Sequence, residues 1–336
     1  MRDISISFVI PTWNRRNELE RLLESLLVQK NVDFETVVID NNSSDGTGEY
    51  LSGLDSRIAV IHNRENLGAA QAKNQGLVAS RGEFVWFLDS DSEFADVDVA
   101  ARAMEIMGND GSIGALGGEF VLDRNGLPVS LIKRFRSNGE TANEYRRGDV
   151  LLEDSDYLPT CNCLVRREPI LRWGGFDPAY FMLSEDDELG YALRHMGYRC
   201  VVDSRALVIH HQARRSRVGT LMLSNRNRVR FAILNMPLRR VLMLPVFELI
   251  EMLRPSSVKQ LFQADGALVQ RYSGGRLADA AIRRSILRPM AVLSFAGRYL
   301  LTLLAAYAYQ LACMPMLLRI RRSRPDYLSE LEPAAR

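Results

Sequence analysis

Cysteine is scarce in this sequence. Only Cys161, Cys163, Cys200 and Cys313 occur in 336 residues, none forms a C-x-x-C pair, and the four histidines are not spaced with them as zinc ligands. That excludes a zinc framework and fits reduced thiols in a cytosolic protein. No G-x-G-x-x-G follows the first apolar run, so a dinucleotide fold of the dehydrogenase kind is not supported. No charged segment leads into a long apolar one after Met1-Arg2-Asp3, and no secretory signal is expected. Internal repeats and low-complexity segments are missing. Acid is missing from Ser204 to Phe247, where arginine stands at 205, 214, 215, 217, 226, 228, 230, 239 and 240, although the whole chain carries only +2. Such a stretch favours an anionic neighbour (a phosphate-bearing ligand, a lipid surface or nucleic acid) or is a solvated basic face. Nucleic acid is disfavoured because no recognition motif accompanies the arginines.

What is present is ordinary globular composition, 47% hydrophobic and 25% charged. The first hundred residues alternate strand and helix signals. Strands are predicted over Ile4–Ile10, Thr36–Ile39, Ile58–Ile61 and Phe84–Leu88, and helices over Glu18–Val28, Gly48–Leu54 and Ala69–Ala79. The β-α-β-α order predicts an α/β fold, a mostly parallel sheet with helices on both faces. Further on, helices are expected near Val97–Met107 and Asp186–Met196. Strands are expected near Ile113–Leu122, Asn162–Val165 and Arg199–Val202, and Gly118–Pro159 reads as irregular. After Thr220 the pattern becomes apolar, arginine-rich and helical. Residues 1–220 are read as the α/β domain and 221–336 as an α-helical appendage.

Asp89-Ser90-Asp91 follows the apolar run Phe84–Leu88 directly. Ligands of open α/β sheets bind at the carboxyl ends of strands, and two hard carboxylates there suit Mg²⁺ or Mn²⁺ holding a substrate phosphate. An acidic loop capping the next helix is the plainer alternative. The turn Pro11-Thr12-Trp13-Asn14-Arg15-Arg16 and the turn at Asp40-Asn41-Asn42 occupy matching positions after the first and second strands, and Lys73 lies on the helix before the fourth. Asp40 is suited to accept from a base N–H or to anchor its own Asx turn. Trp13 offers an apolar wall, and Lys73 a partner for a diphosphate or a plain surface charge.

Ser7–Arg15, Val37–Thr47, Asn66-Leu67-Gly68, Lys73–Gly76 and Phe87–Asp91, in that order, resemble family 2 glycosyltransferases. So do Trp173-Gly174-Gly175-Phe176-Asp177, Ser184–Leu189, Val208–His211 and Asn225–Arg228 further along. The resemblance covers roughly residues 5–237. It implies a GT-A fold, an inverting transfer from a nucleoside-diphosphate sugar, and Mn²⁺ or Mg²⁺ as cofactor. It implies nucleotide contacts from Pro11, Thr12, Trp13, Asn14, Arg16, Asp40, Asn42, Lys73, Asp89 and Ser90, and metal ligation by Asp91, Asp89 and His210. Asp186 maps onto the catalytic base, and Trp173, Gly174, Glu185 and Asp187 onto the acceptor side. Lys73 departs from the family's frequent Arg and loses the bidentate fork. Against these roles stand a capping-box start at Ser184-x-x-Asp187 and a packed core histidine at 210.

Tyr299–Leu318 holds no charge for twenty residues, long enough to span a bilayer. A simple span would leave Arg319, Arg321, Arg322 and Arg324 on the far side, against the positive-inside tendency. A helix lying in the membrane surface, or packed on its neighbours, is therefore expected. The resulting reading is a glycosyltransferase at the inner face of the cytoplasmic membrane, acting on a glycan or lipid-linked acceptor and able to oligomerise through the C-terminal helices. A sugar-phosphate nucleotidyltransferase and a non-catalytic nucleotide-sugar-binding assembly subunit remain as alternatives.

Overall fold

The structure, a computed structural model, describes residues 5–54, 58–122, 128–211, 220–253, 297, 300–323 and 331. Residues 214, 215, 217, 254–296 and 299 of the expectations above lie outside them. The first strands form where the apolar runs predict them. β1 (Ile6–Thr12), β2 (Phe34–Asp40), β3 (Ile58–His62) and β4 (Phe84–Leu88) pair in parallel in the order β4-β1-β2-β3. Side chains alternate across this sheet. Ile6, Phe8, Ile10, Val38 and Trp86 face α1 (Arg16–Leu27) and α4 (Val99–Asn109), with Leu19, Leu22, Leu23 and Leu26 of α1 fully buried among them. Val9, Val37, Ile39, Val85 and Phe87 face the other way, toward α3 (Gly68–Ala79), α5 (Arg167–Trp173) and α6 (Glu185–His195). A short helix α2 (Thr47–Ser52) links β2 to β3.

Among the described residues the large sheet has eight strands. β11 (Asn162–Arg166) runs antiparallel between β4 and β6 (Ile113–Gly117). β12 (Arg199–Val202) then lies parallel to β6, and β10 (Glu153–Ser155) antiparallel to β12. The expected long strand over Ile113–Leu122 is in fact two. Gly117 and Gly118 take φ of +136° and +114°, which breaks the run. β7 (Glu119–Leu122) thereby leaves the large sheet for a second one, ordered β5-β13-β7-β8-β9. Its other strands are β5 (Ser92–Phe94), β13 (Val208–His210), β8 (Pro128–Phe135) and β9 (Thr141–Arg147). The stretch read as irregular thus holds a β-hairpin: β9 alternates half-buried with exposed positions, and a one-sided strand with polar outward residues gives a weak apolar signal.

Residues 136–140 and 217–322 make a second compact unit. Its described helices are α7 (Thr220–Asn235), α8 (Leu238–Leu253), Leu300–Ala312 and Met314–Arg322. Val229, Ile233, Leu234, Leu303, Ala306 and Leu317 form its core. The arginines of α7 do not make one basic face. Arg228 is buried in an ion pair with Glu248 and also donates to the Asn138 carbonyl. Arg230 is buried, and Arg226 lies over the Tyr309 ring at 5.9 Å. Arg321 donates to the carbonyls of Ile233 and Met236, capping the end of α7.

Helix α3 comes close against the large sheet at Gly76. A Cβ there would lie 2.2 Å from Val9 Cγ1 and 2.9 Å from Ile39 Cδ1. Gly76→Ala therefore overpacks the interface, and the roughly 1 kcal/mol gained in helix propensity does not offset it. The expected outcome in urea denaturation is a net loss of about 1–2 kcal/mol. An unchanged or raised midpoint would mean that α3 does not lie this close to β1.

Candidate active site

The carboxyl ends of β1, β2 and β4 open at one edge of the large sheet. Thr12 and Asp40 pair in register there, with Pro11 opposite Ile39 beside them. The turns that follow are laced together: the Asn14 amide donates to Ser43 Oγ, the Ser44 amide donates to Asn14 Oδ1, and the Arg16 amide donates to Asp45. Asp40 Oδ1 accepts the Ser43 amide, three residues on, at 3.0 Å, so it anchors its own turn, while Oδ2 lies 3.3 Å from His62 Nδ1. Thr12 Oγ1 is buried beside it without a hydrogen-bond partner. Trp13, Asn14, Arg16 and Asn42 are exposed at the rim, with the Trp13 side chain half open to solvent.

Asp89-Ser90-Asp91 lies between β4 and β5. Ser90 and Asp91 are buried and Asp89 is half exposed. β13 runs antiparallel to β5 and sets His210 opposite Ser92. His210 Nε2 then stands 3.2 Å from Asp91 Oδ1 and 3.7 Å from Asp89 Oδ2. One ligand atom from each of Asp89, Asp91 and His210 lies within 4.8 Å of the others. Two hard carboxylate oxygens and one imidazole fit Mn²⁺ or Mg²⁺. Arg15 Nη1 donates to Asp91 Oδ2 at 2.7 Å. Of the two neighbouring arginines it is Arg15 that reaches the aspartate pair, while Arg16, expected at the nucleotide, is exposed at the rim. Burial works against the Asp91 charge, but His210 and Arg15 outweigh it and hold the carboxyl below its ordinary range. Burial likewise disfavours the His210 imidazolium, and contacts with Asp91, Cys161 and Glu119 outweigh it, raising that pKa.

A second acid cluster begins α6. Ser184 is left-handed (φ +70°) and makes no side-chain cap to the helix, so the capping-box alternative fails. Glu185, Asp187 and Glu188 are buried, and the Asp186 side chain is 24% exposed. Lys73, on α3, is buried and points into this cluster. Its ammonium donates to Thr160 Oγ1, to Glu185 Oε1 at 2.8 Å and to Asp186 Oδ1 at 3.3 Å. Thr160 donates onward to Asp186 Oδ1 at 2.6 Å. Burial opposes the lysine charge, but Asp186, Glu185 and Asp89 outweigh it and keep the amine protonated. Burial, partly offset by Lys73, raises the Glu185 pKa.

Trp173 and Gly174 are not brought to these acids. Gly174, at φ +89°, ends α5, and Trp173 packs edge-on against His195 with ring centroids 6.1 Å apart. His195 closes α6, ten residues and about 15 Å from Glu185. The Gly-Gly-Phe-Asp segment is tied to α3, where Asn74 exchanges two hydrogen bonds of 2.8 Å with the Phe176 backbone. Four side chains that join the site were not singled out from the sequence. Arg15 sat inside a motif whose neighbour drew attention, and Thr160 has no periodic signal. Glu119 carried one, a lone charge on an apolar strand that only a partner on the next strand explains, while Lys133 stood beside Arg134.

Fold and site together define a class: an α/β domain that gathers a carboxylate–imidazole cluster and a separate acid cluster at one sheet edge. Residues 7–173 match the family Glycosyl transferase family 2, and the domain they build belongs to it. TuaG of Bacillus subtilis (strain 168), named as a teichuronic acid biosynthesis glycosyltransferase, is 32% identical over 127 residues, 37% of this chain and 50% of its own. WcaA of Escherichia coli (strain K12), named for colanic acid biosynthesis, is 35% identical over 92 residues, 26% of this chain and 33% of its own. The matched segments therefore span half or less of these relatives. The mannosyltransferase PcManGT from Pyrobaculum calidifontis, solved with GDP-Man and Mn²⁺, superposes with a TM-score of 0.54. At 20% identity over 91% of this chain and 86% of that one, the likeness is one of fold, the GT-A fold.

Asp187 gives the acid cluster a pH signature. Burial first, then repulsion from Asp186, pushes its carboxyl up to about 7. A carboxyl raised in the folded state favours folding while protonated, and that contribution is lost as pH rises from about 4 to about 7. Asp187→Asn stays neutral throughout. Its stability relative to the parent chain, read from denaturant midpoints, is expected to rise across that window by on the order of 2–4 kcal/mol. A difference that stays flat with pH overturns this assignment.

Proposed function

We propose that the chain is a glycosyltransferase that moves a sugar, with inversion, from a nucleoside-diphosphate sugar to a hydroxyl of a surface glycan or its lipid-linked precursor. One observation carries the reading. The Asp89–Asp91–His210 cluster and Asp186 stand on different elements of one domain, with the Lys73 ammonium bonded to Asp186. Asp89, Asp91 and His210 would hold Mn²⁺ or Mg²⁺, which supplies Lewis-acid neutralisation of the leaving diphosphate. Thr12 and Asp40 face the base and ribose, and Arg15 is placed to follow the phosphate charge. The buried, unpartnered Thr12 hydroxyl supports a polar ligand at that position.

Asp186 Oδ1 is occupied by Thr160 and Lys73, which leaves Oδ2 to take the acceptor proton. As the acceptor O–H gives its proton to Oδ2, its oxygen bonds to the anomeric carbon. The bond from that carbon to the diphosphate oxygen breaks, and its electron pair leaves with the diphosphate. Keeping the base on α6 spares its basicity from the charge held at the β4–β5 turn.

Asp186→Asn is expected to reduce transfer by 10²–10⁴-fold with folding intact and nucleotide binding kept. Asp91→Ala should lose Mn²⁺-dependent nucleotide binding as well. Full turnover in Asp186→Asn refutes the base assignment. Release of nucleoside diphosphate is the expected product signature. Pyrophosphate release instead identifies a nucleotidyltransferase, and metal-dependent binding without transfer to any acceptor identifies an assembly subunit.

The helical unit supports a place on the inner face of the cytoplasmic membrane. No single described helix is long and apolar enough to cross a bilayer, and Leu300–Ala312 meets Met314–Arg322 at 69°. Leu242, Leu301, Leu304 and Leu311 are exposed, as are Arg239, Arg240, Arg319 and Arg322. Exposed leucines with arginines suit an anionic lipid surface. The protein is expected to sediment with vesicles containing anionic phospholipid, and Leu301→Ser with Leu304→Ser to weaken binding at least tenfold, since each buried leucine contributes roughly 1.5–3 kcal/mol. No sedimentation, with dimers in solution that the same substitutions dissociate, makes this face an oligomer contact.

A further inference from the structure

Behind the carboxylate–imidazole cluster runs a second line of charge. In the smaller sheet β7 lies between β13 and β8. β13 pairs in parallel with β7 through Ile209 and Phe120, and β7 pairs antiparallel with β8 through Glu119 and Leu131. With side chains alternating, His210 of β13, Glu119 of β7 and Lys133 of β8 fall on one face as diagonal neighbours. The contacts agree. His210 Nδ1 lies 3.4 Å from Glu119 Oε1, and Lys133 Nζ donates to Glu119 Oε2 at 2.6 Å. Glu119 and Lys133 are both buried, at 7% and 6% exposure.

An imidazole presents a lone pair on one ring nitrogen only when the other carries the proton. His210 turns Nε2 toward Asp91 and Asp89 and Nδ1 toward Glu119. We infer that Glu119 is a positioning residue, which accepts the Nδ1 proton of His210 and so holds its Nε2 lone pair on the cation site, while Lys133 fixes the Glu119 carboxylate in place. The arrangement is a carboxylate–histidine–metal relay. A buried carboxylate is costly without a partner, and Lys133 supplies one. The inference rests on the metal reading above and adds two residues to it.

The test measures Mn²⁺ alone binding to the purified full chain by water-proton relaxation, without donor or acceptor. Glu119→Gln is expected to weaken Mn²⁺ binding by roughly 10–100-fold. In a His210→Ala background the same substitution should change affinity less than twofold, because the residue acts only through the imidazole. Glu119→Gln strands the Lys133 charge, so Glu119→Gln with Lys133→Met is measured beside it, and the same loss of affinity is expected. Parental affinity in Glu119→Gln overturns the inference and leaves the metal reading standing. An equal loss with and without His210 also overturns it, showing a structural role only. A parental chain that takes up no Mn²⁺ at millimolar concentration sinks the metal reading and this inference together.

Discussion

The candidate site depends on a lysine ammonium taken out of water. Lys73 is 2% exposed, and a bare charge in that position would cost several kcal/mol. It is tolerable because three acceptors converge on it from two further parts of the chain: Thr160 just ahead of β11, and Glu185 and Asp186 at the start of α6. The requirement is mutual, since burial raises the Glu185 pKa and Lys73 is what offsets it. Two helices and a strand lead are therefore tied at one point. Phe181, Leu183 and Ser184 all take positive φ on the way into α6, a conformation that costs non-glycine residues roughly 1–2 kcal/mol each. The ion pairs and the Asn74 clamp on Phe176 help hold this strained approach in place.

Much of this was legible before any coordinates. The parallel core reads directly from apolar runs such as Phe84–Leu88, because strands buried on both faces carry an unbroken hydrophobic signal. The helix α1 reads from its leucines, and the acid clusters from their positions after strands. The smaller sheet did not read. Three-residue strands such as β5, β10 and β13 are too short for a period, and β7 was hidden as the continuation of β6 until two left-handed glycines separated them. Partners on the next strand were hidden as well. Nothing in one dimension says that Glu119 meets Lys133 and His210, since strand register decides it.

The same limit misassigned charge in the helical unit. An acid-free run of arginines suggests one basic face, yet Arg228 turns inward to Glu248 and Arg230 is buried, as Arg321 outside the run turns to the end of α7. Guanidinium groups carry five donors each, and helix-end carbonyls and buried carboxylates can consume them as readily as a phosphate does. Sequence charge density therefore overstates the positive field of this unit, and the exposed Arg239, Arg240, Arg319 and Arg322 are the better guide to what its surface attracts.

Lysine at position 73, where the family resemblance leads one to expect arginine, follows from the same geometry. An ammonium offers three donors from a single point, and here three oxygens surround that point: Thr160 Oγ1, Glu185 Oε1 and Asp186 Oδ1. A planar guanidinium needs acceptors spread along its edge and more room than a pocket with almost no exposure gives. The compact cation also meets Asp186 at one oxygen only. Lys73 and Thr160 both meet Oδ1, so the partly exposed carboxylate is oriented through one oxygen. A bidentate arginine would engage both oxygens. The lysine that looks like a weakened phosphate contact in the sequence is, in the structure, what orients the Asp186 carboxylate on which the proposed base role rests.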